Sequence, residues 1–215
     1  MPGAAPTQAV LVVGNWLNGQ EASVMRRRLT DRYQINAHQI SYRVARASLA
    51  QNITVLRDFV ETEVRPRGDD VHFIAHGLGA VITLAMLAEW NDAPDGRVVC
   101  LGAPIGDSDA TRRLAAASGD DGLMCQSLAT FEMPWSALSA RQIGAVAGTH
   151  SRSATDLPTQ NDGCVGVDET RADALTDHLR LGAGHTQLLT SREVIDQVNH
   201  FMRHGAFDRT RKHLV

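Results

Sequence analysis

Val71-His72-Phe73-Ile74-Ala75-His76-Gly77-Leu78-Gly79 is the stretch on which the fold turns. Its first half is largely apolar, and it ends abruptly in two glycines that bracket Leu78. A short apolar run closed by turn residues is the pattern of a strand buried on both faces of a parallel sheet. From Leu78 to Trp90 the chain is apolar almost all round, which predicts a helix under the centre of the molecule. A buried strand that passes so quickly into a buried helix needs an unusual backbone at the turn, and glycine supplies it freely.

The same punctuation repeats on either side. Ala9 to Val13 is apolar, rich in β-branched residues and closed by Gly14, as a buried parallel strand would be. Residues 22–32 place Ala22, Met25 and Leu29 at helical spacing, with Arg26, Arg27 and Arg28 largely off that stripe. Ile40 to Tyr42 is a weaker strand signal. Ser48 stands where it would cap a helix running to Val64, with Leu49, Ile53, Leu56 and Val60 inward and Pro66 and Gly68 ending it. Arg97 to Leu101, Ile143 to Ala147 and His178 to Leu181 read as further strands. Residues 192–203 form a closing amphipathic helix with Val194, Ile195, Val198 and Phe201 inward. Strands alternating with helices predict an α/β fold, a mostly parallel central sheet of about six strands flanked by helices. No repeat, low-complexity tract or break in composition divides the chain, so one domain over 1–215 is expected.

Composition narrows the function. With 43% hydrophobic and 21% charged residues in 215, the chain can bury a full core and is neither disordered nor membrane-like. A net charge of −3 gives no support for a nucleic-acid partner. Cys100, Cys125 and Cys164 are an odd number at scattered spacings, without a disulfide framework or a CxxC metal pattern. Cys100 sits in an apolar run and reads as inert core. No apolar stretch reaches the roughly 20 residues of a membrane span. Met1 to Gln8 lacks the basic and apolar regions of a secretory leader, so a cytoplasmic location is the default expectation. No His, Cys or Asp cluster has metal-ligand spacing, and neither metal nor cofactor is expected.

Seven segments carry a resemblance that covers nearly the whole chain: Val13-Gly14-Asn15-Trp16-Leu17-Asn18-Gly19, Ser41-Tyr42-Arg43, His76-Gly77-Leu78-Gly79, Leu101-Gly102-Ala103-Pro104, Ala147-Gly148-Thr149, Asn161-Asp162-Gly163 and His185-Thr186. Together they resemble the small bacterial α/β-hydrolases of the lipase/esterase type that lack a large cap domain. The resemblance implies hydrolysis of carboxylic esters, or of related acyl esters and thioesters, through a serine acyl-enzyme. It places the nucleophile of G-x-S-x-G at residue 77, the acid at Asp162 on a loop after the sixth strand, and the histidine at His185 after the last strand. The interval between Asp162 and His185 leaves room for one strand. The oxyanion hole falls to the backbone N–H groups of Asn15 and Leu78.

Two positions depart from that pattern. Family members carry serine where this chain has Gly77, and usually histidine where it has Val13. The first change removes the attacking atom. The chain is then a hydrolase frame that is inactive or nearly so. The intact acid, histidine and oxyanion loop favour an engineered or very recent exchange over a natural acyl-binding pseudoenzyme. A thioesterase or acyltransferase would share every one of these residues.

Other nucleophiles fit less well. Cys164 lies so close to Asp162 that it would compete for space, and Cys125 and Ser127 have no elbow. Ser108 reads as the cap of a helix starting near Ala110, and His76 as packing beneath the turn. His72, His200 and His204 read as ordinary strand or helix residues. Residues 105–140 form a lid-like insertion carrying Leu123, Met124, Leu128, Phe131, Met133, Pro134, Trp135 and Leu138. Insertions at this place lie over the catalytic centre in α/β-hydrolases, so Met133 and Trp135 are candidates to line a pocket for a small acyl ester or fatty acyl group; Trp16, in the loop after the first strand, either joins them or packs beside the helix. The alternative is that the apolar residues of the insertion pack back on the domain as core.

Overall fold

Six apolar segments pair side by side, all parallel: β1 (Gln8–Val13), β2 (Asn36–Ser41), β3 (Val71–His76), β4 (Val98–Leu101), β5 (Ile143–Gly148) and β6 (Asp177–Leu181), in the order β2-β1-β3-β4-β5-β6. The computed structural model describes residues 7–14, 20–41, 47–117, 123–151 and 160–210. Connecting the strands are α1 (Gln20–Tyr33), α2 (Leu49–Phe59), α3 (Leu78–Glu89), α4 (Ser108–Ala117) and α5 (Leu123–Leu128), and α6 (Arg192–His204) follows β6.

Alternation along the strands divides the core in two. Val10 and Val12 of β1 point into the cluster made with α2, α3 and α5, through Ile53, Leu56, Leu84 and Met124. Ala9, Leu11 and Val13 point the other way, into the cluster with Met25 and Leu29 of α1 and Val194, Val198 and Phe201 of α6. A parallel sheet covered on both faces has to be apolar on both, which is why its strands read as unbroken apolar runs.

The order of strands fixes where a site can form. The chain leaves β1 toward β2 on one side and then crosses to β3 on the other, so the connections after β1 and β3 diverge. A crevice opens at the carboxyl ends of two such strands. Gly14 and Gly77 lie there.

Several expectations shift. β2 begins at Asn36, ahead of Ile40, and Tyr42 lies outside the described residues. The helix after Ser48 has its capping box, Ser48 with Gln51, but stays α-helical only to Phe59. A wider turn over Val60–Val64 and a tight one over Arg65–Arg67 follow. Pro66 has no N–H for the carbonyl a turn before it, and Arg65 ahead of it stays helical (φ −55°, ψ −36°) only as part of the tight turn. Helix α4 starts at Ser108, and its cap is Asp107, whose Oδ1 accepts from the N–H groups of Asp109 and Ala110 at 2.7 and 3.2 Å. Asp162 follows the fifth strand of this sheet, not the sixth, with β6 between it and His185.

Candidate active site at the carboxyl edge of the sheet

Gly77 joins β3 to α3 with φ 56° and ψ −127°, a backbone state that strains any residue with a Cβ. The turn is braced on both sides. The N–H of Gly77 donates to the carbonyl of Leu101 at 3.0 Å, and its own carbonyl accepts from Ala80 at 3.1 Å. Leu78 opens α3, so its N–H is one of the helix's first amides and has no acceptor within the helix.

The acid turn is built from backbone bonds. Asn161 pairs with Gly166, the Asn161 side chain accepts from the N–H of Gly163 at 2.9 Å, and Asp162 N–H donates to Val165 at 3.1 Å. Asp162 Oδ1 accepts from the N–H groups of Cys164 and Val165 at 2.9 and 2.8 Å. Its Oδ2 accepts from His185 Nδ1 at 2.8 Å, with both residues buried. Three donors converge on one carboxylate. The bond to Nδ1–H leaves Nε2 of a neutral His185 as the free lone pair.

His185 is fixed at its backbone as well. Its N–H donates to the carbonyl of Asp162 at 2.8 Å, and its carbonyl accepts from His76 Nε2 at 3.0 Å. The two imidazole rings lie 4.2 Å apart, tilted by 49°. His76, which immediately precedes Gly77, is therefore the physical link between the elbow and the histidine loop. Burial first, and then the nearby His185 ring, lower its pKa to about 3, so it remains a neutral donor. It does more than the packing expected of it.

Gly102, at the end of β4, is the tightest point around the pair. Its φ is +52°, and a Cβ there would lie 2.6 Å from Asp162 Oδ2 and 2.9 Å from His185 Nδ1. Glu169 supports the acid turn from below. Its two carboxylate oxygens both accept from Nη2 of Arg113 on α4, at 2.7 and 2.8 Å, and Oε2 also accepts from the N–H of Gly166 at 2.6 Å. In the sequence Gly102 has no role of its own beyond its place in the Leu101-Gly102-Ala103-Pro104 segment, and nothing local marks Glu169.

The remaining predicted residues divide. Asn15 and Trp16 lie outside the described residues. Met133 and Trp135 meet at a cavity of about 190 Å³ that Pro104, Ile105 and Phe131 also line, just beyond Gly102 along the chain. Both pack against the α2–α3 side of the core, and Met124, Leu128 and Leu138 are buried in it, so much of the insertion is core. A polar depression of about 660 Å³ lies at the opposite, amino edge of the sheet, between Asp70, Asp95, Arg97 and Arg141.

Cys164 is half-buried, and burial, then the Asp162 charge, push its thiol up to about 11. It is no ready thiolate. Burial raises Cys100 to about 12, in keeping with an inert core thiol. Where sequence spacing suggested no metal-binding set, the fold brings Asp162, Cys164 and His185 together, with one donor atom of each within 4.8 Å of the others.

No protein-family model and no curated protein matches the chain. Solved structures do match its fold. The mature form of the lipase BlEst2 of Bacillus licheniformis superposes with a TM-score of 0.68 at 16% identity, covering 94% of this chain and 93% of that one. Esterase Pf2001 of Pyrococcus furiosus gives 0.63 at 11% identity over 93% of this chain and 83% of its own. A lipase-esterase related protein of Clostridium acetobutylicum gives 0.58 at 13% identity, with coverage of 93% and 94%. Likeness at such identities is one of architecture. The six-stranded parallel sheet with helices on both faces is the α/β-hydrolase fold.

Proposed function

We propose that this chain carries the machinery of a carboxylic ester hydrolase of the lipase/esterase type, silenced because Gly77 stands at the nucleophile position. The observation that supports it best is the buried 2.8 Å bond between His185 Nδ1 and Asp162 Oδ2, tied through His76 to a positive-φ elbow at Gly77. The solved lipase and esterase structures of the same fold add weight to an ester substrate.

With serine at position 77, His185 Nε2 takes the hydroxyl proton as the oxygen attacks the acyl carbonyl, and later returns it to the leaving alcohol. Asp162 keeps the proton of the resting imidazole on Nδ1 and stabilises the imidazolium that forms. The amides of Leu78 and Asn15 receive the developing oxyanion. With glycine, His185 has only a water to polarise, and turnover falls to a trace. The domain is the whole chain, 1–215, and of the insertion the part around Met133 and Trp135 is assigned to the acyl group.

The test is a panel of p-nitrophenyl esters of graded acyl length, given to the chain and to Gly77→Ser. The serine form should hydrolyse at least one of them, and the parent almost none. Gly77 itself favours a second reading, a natural acyl-binding protein that never needed the oxygen. If both forms bind fatty acids and neither hydrolyses esters, that reading stands. Hydrolysis of acyl-CoA without hydrolysis of oxygen esters assigns the scaffold to a thioesterase or acyltransferase.

A further inference from the structure

We propose that Asp162, Cys164 and His185 form a binding site for a thiophilic divalent metal ion such as Zn²⁺, and that metal binding and the catalytic hydrogen bond exclude each other. A carboxylate oxygen, a thiol sulfur and an imidazole nitrogen are a mixed donor set that suits zinc, and here all three lie within 4.8 Å of one another. Zinc–ligand bonds of about 2.0–2.3 Å put tetrahedral donors roughly 3.3–3.7 Å apart. Side-chain shifts of an ångström or so therefore close the shell.

The backbone holds the donors in place before any ion arrives. The Asp162–Val165 bond and the left-handed Gly163 (φ 100°) fold the acid turn, and Cys164 N–H donates to Asp162 Oδ1 at 2.9 Å. The bond from His185 N–H to the Asp162 carbonyl brings the third donor across at 2.8 Å. Asp162 and His185 are buried, Cys164 is half-buried, and the His76 ring lies against His185 at 4.2 Å. A fourth position is left for water.

The protons account for the exclusion. In the metal-free chain His185 carries its hydrogen on Nδ1, in the bond to Asp162. When the ion takes the Nδ1 lone pair, that hydrogen is lost from Nδ1 and the neutral ring is protonated at Nε2 instead. The thiol loses its proton to solvent as the metal–sulfur bond forms, so one proton is released in all. An imidazole with hydrogen on Nε2 cannot accept a proton at the elbow. The inhibitory half of this proposal rests on the proposed dyad, whereas the binding half does not.

Titration of the untagged chain, as it stands, with Cd²⁺ should produce the near-ultraviolet cadmium–thiolate band with a stoichiometry of one. The band should vanish in Cys164→Ala and weaken in His185→Ala, while Cys125→Ala keeps it. Being specific to sulfur, it separates this site from the His200 and His204 pair on α6. Absence of the band in the parent, or its survival in Cys164→Ala, overturns the proposal. Cys164→Ser replaces Cys164→Ala if the latter fails a circular-dichroism check of folding. In the Gly77→Ser background Zn²⁺ should suppress ester hydrolysis and chelator should restore it. Gly77→Ser/Cys164→Ala, measured against its own rate in chelator, should resist zinc, and equal inhibition of both forms refutes the exclusion. Failure of Gly77→Ser to turn over any ester defeats the hydrolase reading alone, and the cadmium band still decides the metal site.

Discussion

Gly77→Ser should cost stability while it supplies the missing oxygen, and the size of the cost follows from the turn. At φ 56° and ψ −127° a residue with a Cβ carries strain of roughly 1–3 kcal/mol. Replacing glycine also stiffens the unfolded chain, which returns about 0.4–1 kcal/mol. The balance is a loss of up to about 2.6 kcal/mol, centred near about 1.3 kcal/mol. For a domain of this size the central value lowers the melting temperature by roughly 3–5 °C. Gly77→Ala carries the same strain without the hydroxyl, so the two variants should melt together, below the parent, while only serine reacts with a fluorophosphonate and hydrolyses esters. In other hydrolases removal of the serine costs on the order of 10⁶-fold in kcat, so the gain should be far above assay noise. Calorimetry and an ester assay on three proteins decide it. A serine form more stable than the parent refutes the strain argument, and alanine and serine forms that are equally inert refute the nucleophile assignment.

In the Gly77→Ser background, Asp162→Asn should lower kcat by roughly 10⁴-fold through loss of the correct tautomer; retention of more than a tenth of the rate removes Asp162 from the mechanism. Gly102→Ala would press a methyl to within 2.6 Å of Asp162 Oδ2 at a φ of +52°, so it should both destabilise the fold and weaken the His185–Asp162 bond. A variant as stable and active as its parent contradicts that crowding. Glu169→Ala strands the buried Gly166 N–H and hands the exposed Arg113 guanidinium back to water, at a cost of about 1–3 kcal/mol read from the urea midpoint. An unchanged midpoint disproves the support role. Burial lowers His76 to about 3 and His72 and His178 to about 4 from 6.5, so the unfolded chain binds protons that the folded one refuses. That stability is complete above pH 6.5 and falls as pH drops toward 4 and then 3, with His76 alone giving a slope of about 1.4 kcal/mol per pH unit. Unfolding free energies that stay level from pH 6.5 to 4 contradict this.

The strands buried on both faces were legible because burial imposes an unbroken apolar run, and β1, β3, β4 and β5 are buried throughout. The edge strand β2 escaped in its first half because an edge tolerates polar residues. Asn36 and His38 spend their side-chain nitrogens on Gln8 Oε1 at 2.8 and 3.0 Å, a pairing across strands that no window of sequence reveals. Asp162 was legible from its Asn-Asp-Gly turn, and it lies between the fifth and sixth strands. The roles of His76, Gly102 and Glu169 depend on partners far along the chain, on the loop of His185, on the dyad itself and on Arg113. At Asp107-Ser108 both residues are good caps, and only the course of the backbone decides between them.

The dyad does not need the nucleophile in order to persist. The Asp162 carboxylate is half of the acid turn, since two of its three donors are turn amides. The His185 loop is held by its own N–H on Asp162 and by His76 on its carbonyl. None of these bonds involves the side chain of residue 77. On the proposed reading, exchange of a serine there would remove an atom from the crevice and relieve the strained turn, while the buried network would lose nothing. Selection for stability alone would therefore keep Asp162, His185, His76 and Gly102 in a chain that had ceased to hydrolyse anything. An acid–histidine pair beside a glycine elbow would thus be left by a drifting hydrolase and by an engineered one alike. The two differ in what happens when the oxygen returns: a crevice still shaped for an ester gives turnover with Gly77→Ser, and one reshaped for binding gives none while keeping its acyl ligand.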